Sequence, residues 1–452
     1  MDWETGAGRM RPAFEDDAVF ALLAEEERRQ RDTLQMVAAA STAPWQVLWC
    51  NGSVLTNVTG EGYPGRRYHS GCGVFDRLEE LACRRARDVF GASFANVQPH
   101  SGTNANLAAL RALLPRGGKV LSMSLKAGGH LSHGARASVT STLYGVHHYG
   151  VTRDGLIDLE EVRTLALGLR PDVVICGGSA YPRELDFAAF RKIADEAGAA
   201  LLADVSHIAG LVAAGLHPSP VPYAHLVTTS TYKQLAGPRG GLVLGGTNVP
   251  DPGELERRVG AAVFPGVQGT PAPHSIAAKA WAFGHVATPD FHAMCRRIVT
   301  AARAVAEVFA DHGYALVGSG TDTHMVLADL RGTGTTGWVA EKALESCGVL
   351  VNRNVVPEDT LPAAVAGGLR IGTNTLAARG GDAEHARRAA ELIVGVLGSV
   401  ESHGPTSYTL PPAARALARR RVAEICGELR DVPAGPGPLS PTTTNVQEVM
   451  QP

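Results

Sequence analysis

No apolar run in this 452-residue chain approaches the ~18 residues of a membrane-spanning helix. The seven cysteines (Cys50, Cys72, Cys83, Cys176, Cys295, Cys347, Cys426) contain no CxxC pair. Their odd number and wide scatter exclude a disulfide framework or a zinc ribbon, and no metal site is expected. Excess charge of either sign is missing as well: Lys+Arg total 42 and Asp+Glu 44, a formal net of -2. That leaves no electrostatic footprint for nucleic acid or a membrane surface. Neither a GxxxxGK[ST] loop nor the Rossmann glycine fingerprint occurs, so no nucleotide reading competes. There is no internal repeat. The opening MDWETGAGRMRPAFEDD is acidic and has no basic segment leading into an apolar core; a secretion signal is not expected, and the chain is read as a reduced, cytoplasmic protein.

What is present is a folded-protein composition, with 19% charged and 45% hydrophobic residues. The length suits about two to four units of ~150 residues. Glycine is abundant, at 52 residues, either through compositional bias or because loops must approach a ligand. Residues 15–38 carry a helical pattern. From about 70 to 285, short apolar runs at 120–123, 172–178, 200–205, 225–231 and 241–246 alternate with helical stretches such as 76–89, 103–113 and 187–198. This alternation predicts an α/β, mostly parallel sheet. A long Ala/Arg/Val-rich helix over 291–311 links it to a smaller domain. The expected division is an N-terminal arm (1–50), a large domain (51–288), a small C-terminal domain (289–425) and a Pro/Gly/Thr-rich flexible tail (426–452).

Three features within the large domain suggest chemistry. Asp204 closes the apolar run ALLAD; a carboxylate there must be paired, as a helix N-cap or as partner to a protonated ring nitrogen. His207, three residues on, reads as a packed or capping residue by itself. Lys233 follows a Thr-rich strand and precedes the turn GPRGG. It is either a solvated surface residue or, at the ligand-binding edge of the sheet, a lysine suited to Schiff-base attachment of a carbonyl cofactor. Ser101-Gly102-Thr103 opens a helix, and its N–H groups and hydroxyls suit either a phosphate or a plain N-cap. Lysine, acid and phosphate cradle together are what pyridoxal phosphate requires.

Longer strings then become informative: GSVLTN (52–57), EGYPGRRY (61–68), ANVQPHSGTNAN (95–106), GGHLSHG (128–134), AGLVAAG (209–215), LAGPRGG (235–241), VFPGVQG (263–269) and LRIGT (369–373). In this order the chain resembles the serine hydroxymethyltransferases, pyridoxal phosphate enzymes of the aspartate-aminotransferase type (fold type I). The resemblance runs through most of residues 50–400. It implies a seven-stranded, mostly parallel large-domain sheet and a smaller α/β C-terminal domain. By the same resemblance, Lys233 would hold the cofactor, Asp204 its ring nitrogen, and Ser101, Gly102 and Thr103 its phosphate. His130 would stack on the ring, with His207 near the hydroxyl edge and Ser179 close by. Arg370 would bind the substrate carboxylate, Glu61 would move protons at the substrate hydroxyl, and Tyr68 would line that pocket. Glu61, Tyr68 and Gly269 of VFPGVQG would come from a second subunit, which implies a homodimer or a dimer of dimers with shared sites.

Departures from the family pattern cluster around the substrate side. Ala39-Ala40-Ser41 stands where the family has Ser-Glu-Asn, Thr59 and His69 replace tyrosines, and Ser70 replaces a glycine. Tyr232 replaces the His before the lysine, Thr270 replaces a glycine, and Asn374-Thr375 replaces Pro-Ala. Neutral drift is one explanation. The favoured expectation is a specialised aldol-type enzyme that cleaves a β-hydroxy-α-amino acid, L-threonine above all, and passes the glycyl unit to another aldehyde. Threonine transaldolases of this kind are relatives of the family in antibiotic biosynthesis, including nucleoside antibiotics. The alternative is a tetrahydrofolate-dependent hydroxymethyltransferase acting on serine or α-methylserine, since Leu125, Gly128, Gly129, Leu131 and Asn354 stand where the family holds the pteridine. The remaining alternative is a cofactor-binding homologue without activity.

Overall fold

The computed structural model describes residues 17–433. The apolar runs become the inner strands of a seven-stranded sheet. In spatial order these are Ala95–Asn96, Gly241–Gly245, Leu226–Ser230, Ala200–Asp204, Val173–Cys176, Lys119–Met123 and Gly145–Tyr149. Only Gly241–Gly245 runs against its neighbours. The inner strands are buried almost throughout, and largely apolar, because helices cover both faces. Side chains alternate between those faces: Val174 and Cys176 enter one core cluster, Val173 and Ile175 the other. Truncating a fully buried residue such as Leu202 to Ala costs about 2–5 kcal/mol.

A second sheet is antiparallel, in the order Ala315–Leu316, Met325–Asp329, Gly368–Gly372, Asn352–Asn354. It packs in its own core with Leu344, Ile393 and Ile425, forming the smaller C-terminal domain. The 23-residue helix Pro289–Asp311 joins the two regions. Its start is written locally: Thr288 accepts the Phe291 N–H and Pro289 sits in the first turn.

Two expectations change at the chain ends. The helical pattern over 15–38 stops early. The helix is Asp17–Asp32, and Leu34–Gln35 then pairs in parallel with Val349–Leu350. Burial of Leu34 and Met36 against the small domain overrides the local pattern. The expected flexible tail from 426 is also altered at its start. Helix Pro412–Glu428 passes through it, Cys426 and Leu429 are buried, and the Arg430 N–H donates to the Arg379 carbonyl. Packing against the small domain holds these residues; positions 434–452 of that tail lie outside the described residues.

The parallel strands end together. The segments after Met123, Cys176, Asp204 and Ser230 lead into Ser124–Gly129, Gly177–Ser179, Ser206-His207 and Thr231–Lys233. This is the edge at which α/β sheets bind ligands.

Candidate active site

Lys233 lies at that edge, 6% exposed, so the surface reading does not hold. It lines a cavity of about 360 Å³ with Ala39, Leu125, Gly128, Gly129, His130, Leu131, Ser179, His207, Tyr232, Asn354 and Arg370. Burial, then the nearby Arg370 and Arg239 guanidinium groups, lower its pKa to about 8 against the pull of Asp204. Its amine is therefore easier to deprotonate than an exposed lysine's.

Asp204 does not cap a helix; the next helix, Ala209–Ala213, starts after Ile208. One carboxylate oxygen accepts the Ser206 N–H at 3.0 Å, the other Asn106 Nδ2 at 2.8 Å and His133 Nε2 at 2.9 Å. Burial opposes its ionisation. The hydrogen bonds from His133 and Asn106 outweigh that, and Asp204 is held well below the usual carboxylate range. The His130 N–H donates to His133 Nδ1 at 3.3 Å. With Nδ1 accepting, the ring N–H of His133 sits on Nε2, facing Asp204. His133 thus ties the backbone of His130 to the carboxylate.

His130 itself is kept neutral by burial and is fixed through Nδ1 by Ser132, whose hydroxyl lies 2.7 Å away. His207 is buried, its ring stacked against His324 at 5.6 Å between centroids. Burial, then the neighbouring cations, press its pKa far down. Gly128 supports the other wall with φ +103, a conformation glycine adopts without strain. Its carbonyl accepts the Ser179 N–H at 2.6 Å. Arg370, mid-strand in Gly368–Gly372, donates to the Ser179 carbonyl and to Asn352 Oδ1. Among the described residues no carboxylate pairs with it.

Ser101 is the N-cap of the 12-residue helix Gly102–Leu113 and accepts the Asn104 N–H at 3.1 Å. The plain N-cap reading is therefore true. A phosphate site is compatible with it, because the helix start has a polar neighbour with nothing to do. Ser230 Oγ is buried without a hydrogen-bond partner, and a Cβ on Gly102 would lie 3.4 Å from the Ser230 Cβ and 3.6 Å from Ser206 Oγ. A helix N-terminus lined by an unsatisfied hydroxyl fits a phosphate. The neutralisable lysine and the ionised carboxylate fit the rest of pyridoxal phosphate.

Glu61, Tyr68, His69 and Gly269 form a separate group and do not line the Lys233 cavity. The hairpin Gly62–Tyr63/Arg66–Arg67 presents Glu61, Tyr68 and His69, and Gly269 comes up against Glu61 from the loop after Val267. Glu61 Oε1 accepts from Thr270 Oγ1 at 3.0 Å, the Glu61 N–H donates to His69 Nδ1 at 3.3 Å, and a Cβ on Gly269 would lie 3.8 Å from Glu61 Oε1. Tyr68 is 78% exposed. Arg67 clamps the hairpin from beneath, bonding Asp76, Glu79 and the carbonyls of Gly60 and Gly62. A larger cavity of about 920 Å³ under this hairpin includes Tyr68 but neither Lys233 nor Asp204. Within one chain, then, the two groups stay apart.

Sequence reasoning missed His133, Asn106, Ser230 and Arg67. The first two lie inside strings that it singled out, GGHLSHG and SGTNAN. Their partner, Asp204, is 71 and 98 residues away, which no local pattern shows. All seven cysteines are unpaired, and no helix among the described residues is long and apolar enough to cross a membrane.

Comparison with known proteins agrees with the site. The family description of serine hydroxymethyltransferase matches residues 13–393. A serine hydroxymethyltransferase of Nocardia farcinica is 48% identical over 412 residues, covering 90% of this chain and 93% of that protein. Serine hydroxymethyltransferase 1 of Rhodospirillum rubrum is 47% identical over 388 residues, 86% and 88% of the two chains. The Zymomonas mobilis serine hydroxymethyltransferase is 44% identical over 417 residues, 92% and 95%. A buried lysine, a carboxylate held ionised and a phosphate-ready helix start, within a match of this extent, establish that the chain belongs to the serine hydroxymethyltransferase family, fold type I enzymes that use pyridoxal phosphate with tetrahydrofolate as co-substrate.

Proposed function

We propose that the protein is a folate-dependent hydroxymethyltransferase acting on L-serine. One observation carries this choice over the transaldolase favoured from sequence. Leu125, Gly128, Gly129, Leu131 and Asn354, the five positions the family uses for the pteridine, line the same cavity as Lys233 and Arg370. Leu125 and Leu131 are 48% and 54% exposed, an apolar mouth suited to a flat ring. The curated relatives carry the same name.

In this reading Lys233 attaches the cofactor, Asp204 holds the ring nitrogen, His130 covers a ring face, and Ser101, Gly102 and Thr103 with Ser230 hold the phosphate. The chemistry supplied by bound pyridoxal phosphate is an electron-withdrawing ring that stabilises negative charge at Cα. Arg370 grips the substrate carboxylate with the forked geometry of a guanidinium. His207 and Ser179 pack beside the ring. Glu61 moves the proton at the substrate hydroxyl, with Tyr68 and His69 beside it. Because Glu61 stands apart from Lys233 in one chain, the working unit in this reading is a homodimer, or a dimer of dimers, with Glu61, Tyr68 and Gly269 supplied by the other subunit.

A second reading, threonine transaldolase, is favoured by where the departures fall. Thr270 and His69 both bond to Glu61, and Ala39 replaces a serine on the cavity wall. The loss of that serine's hydroxyl on the same wall also suits α-methylserine.

One experiment separates these. Purified protein with pyridoxal phosphate is given L-serine or α-methyl-L-serine with tetrahydrofolate, and in parallel L-threonine with an aldehyde acceptor. Folate-dependent glycine from serine is expected. Alanine from α-methylserine with no glycine from serine moves the assignment to the α-substituted substrate. Acetaldehyde and a new β-hydroxy amino acid from threonine, without folate-dependent turnover, establish the transaldolase. No spectral change with any amino acid points to an inactive homologue.

A further inference from the structure

Helix Pro273–Val286 carries one lysine, Lys279, within the apolar stretch IAAKAWAF. Its side chain is 1% exposed. Among the described residues no carboxylate pairs with it. Instead the ammonium spends all three hydrogens on main-chain carbonyls: Val97 at 2.5 Å, Pro99 at 3.0 Å and Gly241 at 2.9 Å. Burial lowers its pKa to about 7, with Glu79 and Cys83 opposing. A buried cation held by neutral carbonyls alone is a poor way to stabilise a helix. A methionine would fill the space without desolvating a charge.

The carbonyls it holds are informative. Val97 and Pro99 lead directly into Ser101-Gly102-Thr103, and Gly241 lies against them. The Gly241 N–H donates to the Pro99 carbonyl at 2.8 Å. A Cβ on Gly241 would fall 2.2 Å from the Ser101 carbonyl, and one on Gly240 2.3 Å from Lys279 Cε. Gln268 completes the arrangement by donating to the Gln98 carbonyl at 2.8 Å and accepting the His100 N–H at 3.1 Å. From Val97 to His100 the chain is therefore held by side chains from outside the segment, and the phosphate turn starts at the next residue.

We propose that Lys279 is a positioning residue for the phosphate-binding turn: by fixing the Val97, Pro99 and Gly241 carbonyls it sets the place and direction of the N–H groups of Gly102 and Thr103. This rests on the pyridoxal phosphate reading of the cavity. Because the effect passes through the turn, it concerns the phosphate and not the ring.

The test compares pyridoxal phosphate with pyridoxal, which lacks the phosphate, as ligands of the cofactor-free full chain, followed by absorbance. In Lys279→Met the affinity for pyridoxal phosphate falls about tenfold or more, while that for pyridoxal changes less than about threefold. Equal weakening of both ligands, or of neither, overturns the proposal, since a merely structural lysine does not distinguish them. Lys279→Gln, one bond shorter with two N–H donors and no charge, shows the same preference at smaller amplitude. Failure of both variants to fold assigns Lys279 to fold maintenance and likewise overturns it. The unaltered protein beside Lys233→Ala keeps the underlying reading separate. If neither ligand gives a lysine-dependent band even in the unaltered protein, the cofactor assignment is at fault and not Lys279.

Discussion

Replacing Arg370 with Met should weaken amino-acid binding severely and leave the resting protein no less stable. The guanidinium donates to the Ser179 carbonyl and Asn352 Oδ1, and no carboxylate balances it among the described residues. Burial lowers its pKa from 12.5 to about 10, equivalent to roughly 3 kcal/mol against the charged form. That is an upper bound, because the side chain is only half-buried and faces the open cavity. Met removes the desolvated charge and forfeits two hydrogen bonds from a charged donor, about 1.5 kcal/mol each at the lower end of the charged range that suits an open cavity wall. The stability terms therefore nearly cancel. Binding has no such compensation. Truncating one side of a desolvated charged pair costs about 2–5 kcal/mol, a loss on the order of thirtyfold to several thousandfold in affinity. The assay titrates glycine or L-serine into the pyridoxal phosphate-loaded variant by absorbance, with thermal unfolding recorded without amino acid. Affinity within threefold of the parent, or a stability loss of several kcal/mol with binding intact, refutes the assignment of Arg370 to the substrate carboxylate.

Other perturbations address the cofactor side and the hairpin. Attachment of pyridoxal phosphate to the cofactor-free protein needs a neutral Lys233 amine, so its rate should rise with pH and level off above about 8; a rise continuing past pH 10 means that burial does not act as argued. Arg370→Met should move that midpoint upward, since it removes a cation that favours the neutral amine. His133→Phe deletes one of the two side-chain donors to Asp204, worth about 1.5–3 kcal/mol for a charged acceptor. Cofactor affinity should drop about tenfold or more, with a shifted absorption band, and an unchanged spectrum and affinity would falsify the link. Arg67→Met leaves Glu79 buried beside a lost partner, at about 3–5 kcal/mol of stability. Turnover should fall while the bound-cofactor spectrum stays the same; unchanged kcat shows that the hairpin does not need its clamp.

Much of the fold was legible because its signals are local. Runs such as ALLAD and GLVLGG are too apolar and too short for anything but inner strands, and the Ala/Arg/Val-rich pattern over 291–311 marks the long helix. Lys233 and Asp204 were legible because each closes such a run. What could not be read depends on partners far away in sequence. Lys279 sits in a helix that looks like ordinary core, and its three carbonyls lie 38 to 182 residues off. The lone charge in IAAKAWAF was the one available hint. At the N-terminus, the pattern through residue 38 misled because Leu34 and Met36 are apolar for a strand pairing with Val349–Leu350, and helical periodicity absorbs them equally well.

The charge distribution connects these pieces. The protein is nearly neutral overall, at -2, yet its cavity concentrates cations. Lys233 and Arg370 line it, and Arg239 stacks on the Tyr232 ring at 3.9 Å. The one carboxylate near Lys233, Asp204, is already committed to His133, Asn106 and the Ser206 N–H. Positive charge left without acidic partners in a partly enclosed space favours anions, and a phosphate and an amino-acid carboxylate are the two that the reaction brings. In the proposed assignment the proton-moving group, Glu61, stands on a separate hairpin and so does not quench those cations within one chain. A carboxylate beside Arg370 would pair with it and compete with substrate. In that assignment, supplying Glu61 from outside the cation-bearing wall would let the same site remain open to substrate and still acquire a base.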